Sequence, residues 1–155
     1  MVANARIPSL AALLAVSALL AACGGDEGST SSVSSADFVA ETNQICKEDN
    51  AKFKALGTPS GSDVRPFLTK LIPVAEEDLS RLNGATPPSN KADEYDAWIS
   101  NLEQGMELSK KAEAAPTSDA ANKILEGSVA INKKADAEAK ELGLDECLTG
   151  AGSGS

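Results

Sequence analysis

The chain has 155 residues, about one domain, and its 42% hydrophobic and 24% charged residues are an ordinary globular balance. Acidic residues outnumber basic ones by 23 to 14, and the net charge of −9 argues against a nucleic-acid partner. The sequence has no histidine, which excludes Ser-His and Cys-His catalytic pairs and histidine metal ligands. Aromatic residues make up 3%, so we expect a mostly aliphatic core.

Residues 1–22, MVANARIPSLAALLAVSALLAA, have the composition of a signal peptide. Arg6 precedes an apolar run that is short for a membrane-spanning helix and ends in small residues. The next residue completes Leu20-Ala21-Ala22-Cys23, which resembles the lipobox of bacterial lipoproteins. That resemblance implies that Cys23 receives a diacylglycerol thioether, with acyl chains such as palmitate, and becomes the first residue after cleavage.

A lipidated Cys23 predicts a location in the cell envelope, on the extracytoplasmic side of the membrane. The lipid bilayer is then the first expected partner, because two or more acyl chains anchor a protein durably where one does not. Two alternatives stay open, a soluble secreted protein and an uncleaved transmembrane anchor. The lack of Lys and Arg in residues 24–35 disfavours the anchor.

Three cysteines leave one unpaired thiol, which needs a reason in an exported protein. Lipidation of Cys23 supplies that reason and leaves Cys46 and Cys147, which an oxidising compartment permits to form a disulfide. Closing a loop of about 100 residues predicts a stabilisation of roughly 4 to 5 kcal/mol in the chain-entropy model. The alternative is two buried free thiols.

Composition also predicts the domain organisation. Residues 23–35 combine the lipidated cysteine with a flexible linker, GGDEGSTSSVSS, which has too little apolar surface to pack. Residues 36–148 form a helical bundle domain, and residues 149–155 a disordered tail.

Apolar spacing in the body is helical throughout and predicts four helices without strands. The expected ranges are 37–55, capped by Ser34 or Ser35, then 63–82, then from about Asn90 until Pro116, and 118–142. Short connections between them predict an all-α, antiparallel four-helix bundle with one disulfide. Asn90 and Asp93 resemble a capping box. Pro73 predicts a kink in the second helix or its division into two.

Two kinds of side chain were candidates for chemistry. The acidic groups Glu76-Glu77-Asp78 and Asp93-Glu94-Asp96 suggest cation binding, but consecutive helical residues diverge, which favours a solvated face. Tyr95, Trp98 and Met106 are candidate ligand-lining residues beside the small residues of the fourth helix. The alternative for these three is an ordinary core stripe.

We expect no enzyme activity, metal site or cofactor. Ser-Lys pairs lack the S-x-x-K spacing, and no glycine-rich phosphate loop precedes a helix. The body has one cysteine in the first helix and one after the last, in KADAEAKELGLDEC. In this it resembles small uncharacterised helical lipoproteins and secreted proteins of bacteria, a resemblance that implies no activity.

The expected function is a membrane-anchored, non-catalytic interaction or structural module, with another envelope protein as partner. The alternative is a lipoprotein that binds a small apolar ligand. A ligand binder should contain a cavity of about 300 Å³ or more near Trp98. An interaction module should instead have a tight core and an exposed apolar patch.

Overall fold

The structure, a computed structural model, describes residues 34–59 and 62–149, and these ranges contain helices and no strand. The all-α class is therefore confirmed. The predicted signal peptide, Cys23 and the tail from residue 150 lie outside the described residues. The helices are α1 (Ser35–Leu56), α2 (Arg65–Asn83), α3 (Ala92–Glu113), α4 (Ser118–Glu126) and α5 (Ser128–Leu142), followed by a 3-10 turn (Asp145–Cys147).

Side-chain capping starts α1 but not α3. Ser34 Oγ accepts a hydrogen bond from the Asp37 N–H at 3.1 Å, as one of the two predicted caps. The predicted capping box of Asn90 and Asp93 is wrong, since α3 begins at Ala92 without a side-chain cap. Asn90 instead lies in a turn just before α3. The Lys91 N–H closes this turn by donating a hydrogen bond to the Pro88 carbonyl at 2.8 Å.

Helix α2 continues through Pro73, so its division into two helices is not found. Pro73 has no N–H to bond the Thr69 carbonyl four residues earlier. Both residues are exposed, so water can take the place of the missing donor.

The predicted fourth helix is two helices, and this correction centres on Gly127. Thr117 caps α4, where its Oγ1 accepts from the Ala120 N–H at 3.2 Å. The Gly127 N–H then bonds the Ile124 carbonyl, three residues back, at 3.1 Å. This tight turn, together with the weak helix propensity of glycine, separates α4 from α5.

Helix α3 is central, because it packs against α2, α4 and α5. At one end Tyr95 Oη donates to the Leu82 carbonyl at 2.8 Å. At the other end Arg65 Nη1 donates to the Ala115 carbonyl at 3.0 Å. The beginning of α3 therefore lies beside the end of α2, and the beginning of α2 lies beside the end of α3.

The apolar core consists of two clusters of buried side chains. The first cluster joins all the long helices and contains Phe38, Cys46, Leu82, Tyr95, Trp98, Ile99, Ala135, Ala139, Leu142 and Leu144. The second joins α2, α3 and α4 and contains Leu68, Ile72, Ala112, Ala115 and Ala121. Most of these positions lie on the apolar stripes that helical spacing predicts.

The chain reverses sharply after α5 to form what we call the C-terminal turn, residues 143–149. Gly143 has a φ of 79°, in the left-handed region that favours glycine, and the Leu144 N–H bonds back to the Ala139 carbonyl at 2.8 Å. The reversal brings Cys147 to α1, where its disulfide with Cys46 confirms the predicted pairing.

Two asparagines of α1 hold the C-terminal turn on either side of the disulfide. Asn43 Nδ2 donates to the Gly143 carbonyl at 3.0 Å, and its Oδ1 accepts from the Glu146 N–H at 2.9 Å. Asn50 Nδ2 donates to the Glu146 carbonyl at 2.6 Å. The turn packs against both α1 and α5 and so connects these two helices.

Replacing both disulfide cysteines, Cys46→Ser with Cys147→Ser, should lower the free energy of unfolding by roughly 4 to 5 kcal/mol. The reason is that the unfolded chain regains the freedom of a loop closed across a separation of 101 residues. Urea unfolding at pH 7 measures the change. A reductant should destabilise the wild type and leave the double variant unaffected, and equal stability of the two chains would contradict the prediction.

Candidate functional site

A cleft of about 710 Å³ lies between α1, α2, α3, α5 and the C-terminal turn. Its volume is within the range of small-molecule sites, roughly 300 to 1,000 Å³. Apolar side chains from α1, α2, α3 and the C-terminal turn line its walls, among them Phe53, Ile72, Leu82, Leu102, Met106 and Leu148. The lining extends along about three turns of α2 and of α3, which gives a length of roughly 16 Å.

Small side chains keep the middle of this cleft open. Ala75, Gly105, Ser109 and Ser128 all line it, on three different helices. A Cβ placed on Gly105 would meet only the Asn132 Oδ1 atom, at an ordinary 3.6 Å. The lining includes members of both core clusters, so the cleft lies where the two clusters separate.

The three candidate ligand-lining residues occupy two different environments. Trp98 and Met106 line the cleft, whereas Tyr95 is buried in the first core cluster and is not part of its wall. The Tyr95 ring lies 5.1 Å from the Phe38 ring and 5.4 Å from the Trp98 ring, between ring centres. Tyr95 therefore supports Trp98 from the core side.

A buried acidic residue, Asp49, faces α2 from α1. It has no exposed surface, and Arg81 Nη1 donates to both of its carboxylate oxygens at 3.0 and 3.1 Å. Lys52 Nζ lies 2.8 Å from Asp49 Oδ1. Burial alone would raise the pKa of Asp49, but hydrogen bonds with Asp78 and Lys52 and the charge of Arg81 hold that pKa below its ordinary value.

Asp78 lies in the cleft wall and shares a hydrogen bond with Asp49. Burial first, and then the hydrogen bond and charge of Asp49, raise the pKa of Asp78 to about 8, against the opposing charges of Arg81 and Lys52. Two carboxyl groups in contact hold one proton between them. At neutral pH the pair therefore carries one negative charge beside two cations.

This position of Asp78 corrects the prediction that Glu76-Glu77-Asp78 forms a solvated face. Glu76 and Glu77 are exposed and pair with Lys110 and Lys52, each at 2.9 Å. Asp78 instead lies three residues after Ala75, and both residues are on the side of α2 that lines the cleft.

The other acidic group, Asp93-Glu94-Asp96, is exposed as expected. Helical spacing could have indicated the burial of both acidic residues. Asp49 lies three residues after the buried Cys46, and Asp78 lies three residues after Ala75, so each shares a helix face with an inward-facing residue. An acidic residue on a buried stripe predicts a basic partner, here the partly exposed Arg81.

Two polar atoms of the cleft wall are buried without a hydrogen-bond partner in the described part of the chain. They are Asp78 Oδ1 and Trp98 Nε1. Trp98 is 1% exposed, so bulk water does not supply the missing acceptor. Thr42 Oγ1 is also unpartnered but does not line the cleft.

The surface of residues 34–59 and 62–149 has Val129 as its one strongly exposed large hydrophobic residue, at 66%. Within those ranges no group of three or more Cys, Asp and Glu side chains is placed to hold a metal ion. None of the helices described is both long and apolar enough to cross a membrane.

The chain matches no protein-family model, and neither the curated proteins nor the solved structures contain a significant match to it. Functional interpretation therefore depends on the geometry of the cleft and on the sequence.

The raised pKa of Asp78 predicts a pH dependence of stability. The folded chain keeps a proton that the unfolded chain, with an Asp pKa near 3.8, releases. The free energy of unfolding should therefore fall as the pH rises from about 4 to about 8. Asp78→Asn keeps a donor toward Asp49 but has no proton to lose, so it should flatten this slope.

Urea unfolding at several pH values between 4 and 9 measures the slope. Glu77→Gln is the matched control, because it removes a neighbouring carboxylate that is exposed. A slope in Asp78→Asn as steep as that of the wild type would contradict the assignment of the proton.

Proposed function

We propose that this chain is an extracytoplasmic lipoprotein whose helical domain binds a small apolar ligand in the cleft. The observation that carries the proposal is the 710 Å³ volume with Trp98 in its wall, which exceeds the minimum of about 300 Å³ expected of a ligand binder. The interaction module remains a prediction, and Val129, the one strongly exposed large hydrophobic residue in the described part of the chain, gives it little support.

The chemistry of the walls favours an apolar ligand. Most of the lining residues are aliphatic, aromatic or sulfur-containing, and Met106 is a flexible side chain that adapts to a ligand's shape. Transfer of apolar surface from water to such walls contributes about 25 cal/mol per Å² buried. Near the cleft, Arg81 and Lys52 are committed to Asp49, while Lys54 adds one cationic side chain to the largely apolar wall.

The arrangement of the helices belongs to the same proposal. We take α1, α2, α3 and the bent pair α4–α5 as the four members of an antiparallel bundle. The contacts of Tyr95 with Leu82 and of Arg65 with Ala115, at opposite ends of α2 and α3, support that arrangement. In this bundle the cleft runs along the interior between its members.

Export and lipidation complete the proposal. A disulfide between Cys46 and Cys147 fits an oxidising compartment outside the cytosol. With these two cysteines paired, Cys23 is the remaining thiol of the chain, and it stands directly after the signal-peptide-like segment. Acylation there would tether the domain to the bilayer through the serine- and glycine-rich residues that follow.

Filling the cleft should abolish binding. Ala75→Leu adds a branched side chain to the cleft wall, whereas Ala137→Leu adds the same group to an exposed position of α5. We expect 1-decanol to change the fluorescence of the single tryptophan, Trp98, in the wild type and in Ala137→Leu. Ala75→Leu should weaken this binding at least tenfold.

Circular dichroism and thermal unfolding establish that both leucine variants are folded. Equal binding by Ala75→Leu and Ala137→Leu would place the ligand elsewhere. An unchanged fluorescence of the wild type with every apolar probe would remove the ligand-binding proposal.

Mass spectrometry tests the lipid anchor on the chain expressed with its own leader in a bacterial host and extracted from the membrane fraction. The expected first residue is Cys23, with the mass of a diacylglycerol on its sulfur. Cys23→Ser should move the protein out of that fraction. An intact leader, or an unmodified Cys23, would overturn the lipoprotein assignment and leave the cleft untouched.

A further inference from the structure

The cleft has a polar, water-accessible rim where α1 ends. Lys54, Gly57 and Thr58 line the cleft and are exposed, and we call these three residues the polar rim. Other lining residues are buried, among them Ile72, Leu82 and Trp98. The lining therefore changes from polar and accessible to apolar and buried, which matches a ligand with a polar head and an apolar chain.

Lys54 is the one cationic residue of the lining. In the described part of the chain it forms no ion pair, whereas Lys52, Arg81 and Lys110 each pair with a carboxylate at 2.9 to 3.0 Å. The sequence explains the difference, because no acidic residue lies three or four positions from Lys54 on either side. Its compact charge on a flexible stem is accessible to a ligand.

Polar side chains further inside the cleft are already engaged. Ser109 Oγ donates to the Gly105 carbonyl at 3.0 Å, and Ser128 Oγ donates to the Leu125 carbonyl at 2.7 Å. The acidic lining residue, Asp78, is bonded to Asp49.

Lys54 lies five residues beyond Asp49, or roughly 7 Å further along α1. An anionic head group at the polar rim therefore meets an unpaired cation at a distance from the Asp49–Asp78 pair.

We infer that the cleft binds a single-chain carboxylate of the fatty-acid type, with its head group beside Lys54 at the polar rim and its chain among the buried lining residues. This inference rests on the proposed function, since it requires the cleft to be a ligand site. One negative charge matches the one ammonium group. A doubly charged head group adds further charge to a chain whose net charge is already −9.

Four probes with one decyl chain test the head group: decanoate, 1-decanol, decylamine and decyl phosphate. Each is titrated by calorimetry into the full chain at pH 7 and low salt. We expect decanoate to bind most tightly, about three- to fivefold more tightly than 1-decanol, which is the range of an accessible ion pair. Salt at about 0.5 M should remove most of this preference by screening.

Substitutions of Lys54 separate its charge from its place in the fold. Lys54→Gln should lower the affinity for decanoate about three- to fivefold and leave that for 1-decanol unchanged, while Lys54→Arg should retain the preference. Lys47→Gln is the matched control, because it removes the same charge from an exposed position of α1 outside the cleft lining.

Lys54 also lies in the last turn of α1, where a positive charge favours the helix dipole. That role affects stability and not the choice between decanoate and 1-decanol, so the preference is the decisive readout.

The outcomes separate this inference from the proposed function. If no probe binds the wild type, the ligand-binding function itself fails. If 1-decanol binds as tightly as decanoate, or if Lys54→Gln keeps the full preference, the cleft is a ligand site but the inferred contact with Lys54 is wrong. Tightest binding of decylamine or of decyl phosphate would overturn the assignment of a carboxylate. An equal loss of preference in Lys47→Gln would reduce the effect to overall charge and also overturn the inference.

Discussion

The Cys46–Cys147 disulfide is the constraint on which the arrangement of the domain depends. It joins the first helix to residues beyond the last one, across a separation of 101 residues. The C-terminal turn that it fixes packs against both α1 and α5, and Asn43 and Asn50 bind the same turn from either side. A single covalent link thus determines how the two ends of the helical sequence meet.

The same link shapes the cleft. Both disulfide cysteines and Leu148, at the end of the turn, are part of its wall, so the cleft is bounded by a cross-linked segment and not by helices alone. A largely apolar cleft of this volume is the kind of place where small molecules bind proteins. The small residues Ala75 and Gly105 and the separation of the two core clusters leave the space open.

Electrostatics adds a second constraint at the interface of α1 and α2. Asp49 is fully buried, and an unpaired buried charge would be strongly destabilising, so Arg81 and Lys52 accompany it. Asp78 then faces a carboxylate and keeps its proton. At neutral pH the Asp49–Asp78 pair therefore carries one negative charge beside the two cations.

Much of the fold could be predicted from helical periodicity and from the odd number of cysteines, which leaves one pair after the predicted lipidation of Cys23. Phe38, Trp98 and Ala139 are buried, as the helical spacing of apolar residues indicates, and the disulfide pairing is as expected.

The failures are local and have physical causes. Gly127 divides a helix because a glycine and a tight turn outweigh the apolar stripe that continues on either side. Asn90 does not cap α3 because the preceding turn already uses that stretch of backbone.

The site was less accessible from the sequence than the fold. Trp98 and Met106 were identified as candidates from their type and spacing, but Tyr95 has the same spacing and lies in the core. Asp78 was missed because its two acidic neighbours dominate the local pattern, and the identity of its partner is a tertiary fact. The cleft between the helices leaves no periodic signal in the sequence, because its presence depends on the distance between the two core clusters in the folded chain.

A crystal structure of the chain with 10-bromodecan-1-ol would test the central claim most directly. The bromine should give an anomalous peak inside the cleft, among the side chains that line it. A collapsed cleft, or an anomalous peak that is absent or lies elsewhere, would contradict the binding of an apolar ligand in the cleft that the disulfide bounds.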